Sequence, residues 1–235
     1  MTGNEMASPG RHGKAAGEGG TTILASEAVL REGIDALRRL DPVIDRLVAG
    51  GAVPPLRKRP PGFEGLAGIV VAQQLSTASA GAIWGRLQAA LGTVTAERLA
   101  GADDAVLRAA GLSAPKIRTL RGVAGAVAAG DLPLDALHAL PADEAHRLMV
   151  AVRGIGPWTA DVYLLFCLGH PDAFPAGDLA VQEAVRLADG LDARPGPAEL
   201  TRRAEIWRPW RGVAAKVLWA YYGQAKARDA TPVAP

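Results

Sequence analysis

The sequence predicts an all-α protein built from many short helices, and three observations carry that prediction. Apolar residues recur at helical spacing along most of the chain, no stretch alternates convincingly with period two, and residues that start and stop helices punctuate the pattern at short intervals. The chain has 235 residues, 49% hydrophobic and 21% charged, enough to bury a real core and unlike a mainly disordered protein. Its apolar runs are short and interrupted, so no membrane-spanning helix is expected. The single cysteine, Cys167, excludes an internal disulfide framework, a Cys-rich zinc site and a four-cysteine iron–sulfur cluster. The four histidines lack H-x-x-x-H spacing. A net charge of +2, from 26 basic and 24 acidic residues, neither demands nor forbids a polyanionic partner; the position of the charges must decide.

Each element follows in order. Residues 1–22 are glycine-rich with almost no large apolar side chain and read as a disordered leader. They hold no apolar signal-peptide core, so a cytoplasmic location is expected. Ser26 caps a helix whose apolar face is Val29, Leu30, Ile34, Leu37 and Leu40. Asp41-Pro42 opens a second helix, which Gly50-Gly51 ends. A Pro-rich, basic connector fills 52–62. Helices are then expected at 63–75, 77–91, 95–100, 103–110, 114–129, 134–139, 142–152, 157–169, 178–189, 197–206 and 211–227, with a frayed tail from Asp229. Gly92, Gly111, Gly130 and Gly190 are the C-terminal stops.

Four segments could carry chemistry. In LMVAVRGIGPWTA (148–160) a helix runs into Gly154-Ile155-Gly156 and restarts at Pro157. The N–H groups at that restart lack helical partners and form a site suited to phosphate; the same turn also serves in an ordinary helical bundle. In FPAGDLAVQE (174–183) Asp178 opens an amphipathic helix, either as a plain N-cap or as an ionised carboxylate able to stabilise a cation or orient a water. In EIWRPWRGVAAKVLWAYY (205–222) tryptophans and basic residues concentrate. Trp207, Trp210 and Trp219, taken singly, suit core packing, while Arg202, Arg203, Arg208, Arg211 and Lys216 make the segment basic. In VVAQQLS (70–76) two adjacent glutamines, Gln73 and Gln74, end an apolar helix; one could reach a ligand or a DNA base. Lys116, Arg118 and Arg121 form a further basic face, either solvated or in contact with DNA.

Taken together and in this order, the segments resemble the helix-hairpin-helix (HhH-GPD) DNA glycosylases, and within them the 3-methyladenine DNA glycosylase II group, over roughly residues 35–227. The resemblance implies two helical domains flanking a DNA-binding cleft. Residues 62–170 would form one, with the hairpin at 142–169; residues 23–61 and 171–235 would form the other, carrying the catalytic aspartate. Asp178 matches that aspartate. Trp158 and Trp219 match aromatics of the base pocket, and Tyr163 stands beside Val162, where the family has a pocket tyrosine. Gly154, Gly156 and Thr159 match hairpin positions that hold DNA phosphate, helped by Arg208 and Arg211. The carbonyls of Val150, Val152 and Ile155 match those that hold a monovalent cation, Na+ or K+. Gln74, or its neighbour Gln73, matches the wedge that fills the gap left by an extruded nucleotide.

The resemblance further implies a monomer that acts on double-stranded DNA containing damaged bases, with no cofactor for catalysis. Relatives with lyase activity carry a lysine where this chain has Trp158, so strand cutting is not expected. The expected activity is excision of alkylated, cationic bases such as 3-methyladenine by base flipping and hydrolysis of the N-glycosidic bond. Two other readings stay open at this point. One is a glycosylase of the same fold for a different lesion or mismatch; the other is a non-catalytic DNA-binding hairpin module.

Overall fold

The computed structural model describes residues 23–229, and among them there is no β-strand. The expected leader at 1–22 and the tail at 230–235 lie outside the described residues. The chain opens with α1 (Glu27–Leu40), where the Ser26 hydroxyl accepts the N–H of Val29, and α2 (Pro42–Ala49), where Asp41 accepts the N–H of Val43. After the connector come α3 (Gly62–Ala72), α4 (Thr77–Leu91), α5 (Ala96–Gly101), α6 (Asp104–Ala109) and α7 (Ala114–Ala129). The hairpin helices are α8 (Ala142–Ala151) and α9 (Pro157–Phe166). Then follow α10 (Leu179–Asp189), α11 (Pro197–Ala204) and the long α12 (Arg211–Asp229). None of these helices is long and apolar enough to cross a membrane.

Three expectations about boundaries need correction. The helix expected at 63–75 stops at Ala72, and Gln73 and Gln74 form a turn instead, with Gln74 in the left-handed region at φ 57°. The stretch 134–139 is not an α-helix but a single 3-10 turn at Leu137–Ala139. The helix expected at 157–169 ends at Phe166, because Leu168 and His170 turn their N–H groups back onto the Tyr163 and Leu164 carbonyls.

The packing sorts the helices into two neighbourhoods. α3 packs on α4, α7 and α9, while α5 and α6 pack on α7 and α8 on α9. α1 and α2 pack instead on α12, and α2 also meets α10. One continuous buried cluster runs through both neighbourhoods, from Leu30 and Ile44 through Leu66, Leu120 and Tyr163 to Trp207 and Val217. At about 25 cal/mol per Å² of apolar surface removed from water, such a cluster is the main driving force for the fold.

Buried polar groups fasten the seams. Asp41, 2% exposed, receives Arg203 at 2.6 Å and the Trp207 indole N–H at 2.8 Å, tying α2 to the C-terminal segment. Arg211, also buried, donates to Asp172 and Asp143, and Arg208 donates to the same two residues. That network joins α8, the 171–178 loop and α12.

Candidate active site

The hairpin turn is built by glycine for a steric reason. Gly154 has φ +97°, and a Cβ there would lie 2.8 Å from Thr119 of α7. The turn therefore sits flush on α7 in a conformation that a side chain would both strain and block. Ile155 plugs the turn, at 4% exposure. Pro157 then starts α9. Among the described residues, the N–H groups of Gly154, Gly156, Trp158 and Thr159 meet no protein acceptor. They are the unpaired donors of a helix start, and they favour an anion. The Val152 carbonyl accepts the Ile155 N–H, whereas those of Val150 and Ile155 accept no backbone hydrogen bond outside the helices.

Twenty residues on, Asp178 caps α10. Its Oδ1 accepts the N–H groups of Ala180 at 2.9 Å and Val181 at 3.0 Å, and the Trp219 indole N–H at 3.0 Å. Its Oδ2 accepts the Trp158 indole N–H at 2.8 Å. Four N–H donors thus converge on one carboxylate, and among the described residues no Lys or Arg pairs with it. The carboxylate opens on a cavity of about 480 Å³. Its walls are Ile69 and Ala72 of α3, Trp158, Val162 and Phe166 of α9, Trp219 of α12, and Arg57, Lys58 and Arg59 of the connector. Phe166 packs against Trp219 with ring centroids 5.5 Å apart.

The structure brings Asp178, Trp158 and Trp219 together and leaves other expected residues out. Tyr163 does not line the cavity: it is fully buried, and its hydroxyl accepts the N–H of Gly62 at 3.1 Å. Burial pushes its phenol pKa up. The third wall comes from Val162 and Phe166. Helical spacing could have found them, because positions 158, 162 and 166 share one face of α9 and 163 turns away from it. Arg208 and Arg211 are not available to phosphate. Arg208 donates to Glu205, Asp172 and Asp143, and Arg211, 5% exposed, is enclosed by Asp172 and Asp143. The Thr159 side chain is also committed, since its hydroxyl accepts the Gln73 amide at 2.8 Å.

That last contact separates the two glutamines. Gln73 is tied to the hairpin, while Gln74 is exposed at the apex of the turn. Lys116 of α7 donates to the carbonyls of Val71 at 2.5 Å and Gln73 at 2.9 Å, so an ammonium closes the negative end of α3. Arg121 pairs with Asp104, and of the basic face on α7 only Arg118 stays uncommitted among the described residues.

Comparison with known proteins adds to this geometry. DNA-3-methyladenine glycosylase 1 of Schizosaccharomyces pombe is 32% identical over 185 residues, covering 77% of this chain and 79% of the relative. The structure of an S. pombe 3-methyladenine DNA glycosylase in complex with abasic DNA superposes with a TM-score of 0.72 at 29% identity, covering 86% of this chain and all of that one. A DNA-3-methyladenine glycosidase from Bacillus halodurans gives 0.72 at 30% identity, covering 88% and 94%. Residues 67–209, which span the glutamine turn, the hairpin and Asp178, match the HhH-GPD superfamily. The chain belongs to the HhH-GPD superfamily of base excision DNA repair proteins.

Proposed function

We propose that this chain is a DNA glycosylase that removes alkylated, positively charged bases from duplex DNA by hydrolysis and leaves an intact abasic strand. The observation that carries the reading is a carboxylate with four N–H donors and, among the described residues, no ion-paired Lys or Arg, set in a cavity walled by indole rings. Such a group lacks only a cation.

The reaction supplies one. A base inside a duplex is out of reach and must be extruded, at a cost of a few kcal/mol that falls for damaged pairs. Gln74, free at its apex, fills the space left behind and can hydrogen-bond the orphaned partner base. The hairpin N–H groups hold the backbone phosphate. Alkylation at N3 or N7 makes the base cationic, hence a good leaving group that needs no strong general acid. The electron-rich faces of Trp158 and Trp219 suit such a base through stacking and cation–π attraction. As the glycosidic bond lengthens, positive charge moves onto the sugar. Asp178 stabilises it, and the fixed N–H groups spare any reorganisation of the carboxylate at that moment. Water then completes the hydrolysis, with Asp178 helping to position it. Position 158 holds an indole and not a lysine, so no Schiff base forms there.

The test is base release from duplexes carrying 3-methyladenine, 7-methylguanine, hypoxanthine or ethenoadenine. The cationic bases should be released, with no covalent adduct trapped by borohydride. Release of only the neutral lesions would overturn the assignment of substrate class, and a trapped adduct would overturn the hydrolytic mechanism.

A further inference from the structure

The arginines of the C-terminal segment are occupied, yet the cavity is not short of positive charge. Arg57, Lys58 and Arg59 line it from the connector. All three are exposed, and among the described residues none makes an ion pair or a side-chain hydrogen bond. The contrast with Arg208 and Arg211, each held by two or more carboxylates, is complete.

The three cations are free, but their backbone is not. The Leu56 N–H donates to Glu27 at 2.9 Å, and the Leu56 carbonyl accepts the buried Lys216 ammonium at 2.9 Å. Three residues later, the Arg59 N–H donates to the Phe166 carbonyl at 2.9 Å. Lys216 also lies 4.1 Å from the Phe166 ring centroid, the same ring that packs on Trp219. Between these fastenings Arg57 is held at φ +35°, a left-handed conformation that a non-glycine residue rarely keeps without support. A basic run with no structural partner, fixed at three backbone points on the edge of a cavity, is arranged to hold an anion at that edge.

We infer that Arg57, Lys58 and Arg59 form a phosphate-binding lip of the Asp178 cavity, which grips the DNA backbone at the connector edge as a second hold beside the hairpin turn. The inference rests on the reading of the chain as a DNA glycosylase and adds the second hold on the strand. One hold, at the hairpin, fixes the phosphate on one side of the extruded nucleotide; the lip fixes the other, so the nucleotide is presented to Asp178 between two clamps. The lip also offsets the repulsion between Asp178 and the approaching phosphates.

Counterion release provides the test. Each phosphate neutralised contributes about 0.9 to the slope of log K against log salt. Binding of the full chain to an abasic-site duplex is measured from 50 to 300 mM KCl. The Arg57→Gln/Lys58→Gln/Arg59→Gln variant should lose about 1 from the slope and bind about tenfold more weakly at 0.1 M salt, with an unchanged melting temperature. Arg57→Lys/Arg59→Lys should keep the slope. Arg208→Gln should show the reverse pattern, a lower melting temperature with an unchanged slope. Wild-type binding with a salt-dependent slope that the triple variant retains would overturn the lip alone. A wild type that binds no duplex DNA would overturn the glycosylase reading and the lip with it.

Discussion

Two aspartates show what separates a structural carboxylate from a reactive one. Asp41 and Asp178 both cap helices, and both accept tryptophan N–H groups. Asp41 is buried, which raises its pKa, but hydrogen bonds from Trp207 and Arg203 outweigh burial and hold it below the ordinary carboxylate value. Its charge is spent inside the protein. Asp178 has the same kind of donors, no arginine, and a cavity in front of it. A third carboxylate, Asp161, behaves differently again. Burial pushes its pKa up to about 8, and the His146 imidazole, 3.7 Å away, is itself held below the ordinary histidine value chiefly by burial. At neutral pH the two face each other as acid and imidazole, both uncharged. Because the folded-state pKa of Asp161 lies above its unfolded value, the folded chain binds the extra proton. Its contribution to stability is full below about pH 4 and is lost as pH rises towards 8. Asp161→Asn should therefore be more stable than wild type by a margin that grows by roughly 1 kcal/mol per pH unit between pH 6 and 8. Thermal melts of the pair across that range check it; parallel curves would contradict it.

Among the elements, the turn after α3 joins the two ends of the proposed mechanism. Lys116 caps the α3 carbonyls, Gln73 reaches the Thr159 hydroxyl, and Gln74 projects from between these fastenings. The turn that would fill the duplex is thus linked to the hairpin that would hold its phosphate. Lys116→Met should lower excision from duplex DNA by about tenfold, ~1.4 kcal/mol in the barrier, while excision from the same lesion in single-stranded DNA changes little. Single-turnover rates on both substrates decide, and an equal loss on both would show that Lys116 supports the fold and not the turn. This turn was not legible in the sequence. Helical periodicity runs on to residue 75, whereas Gln73, just past the stop at Ala72, is held by Lys116 and Thr159, 43 and 86 residues away from it. Local signals did mark the other ends. Ser26, Asp41 and Asp178 all cap helices with side chains that accept backbone N–H groups.

Across the whole molecule the lesson concerns charge. The near-neutral total of +2 hides two kinds of basic residue. Apart from Glu205, the partners of the C-terminal arginines are distant, so the sequence does not reveal them: Asp143 lies 65 and 68 residues from Arg208 and Arg211, and Asp172 lies 36 and 39. The connector arginines look like part of a loop, yet the fold sets them at the cavity. Tryptophans divide in the same way, with Trp207 in the core and Trp158 and Trp219 on the carboxylate. The all-α class and the segments that build the cavity could be read along the chain, because caps and helical spacing are local. The allocation of its charges could not, because it depends on which helices the core brings together. The central claim is that Asp178 acts on charge developed during bond cleavage, and not only as a helix cap. Single-turnover excision of 3-methyladenine by Asp178→Asn, measured beside its affinity for an abasic-site duplex, tests this most directly. Loss of excision by at least a hundredfold with affinity kept within about threefold is the predicted result; a variant that binds and still excises at the wild-type rate would contradict it.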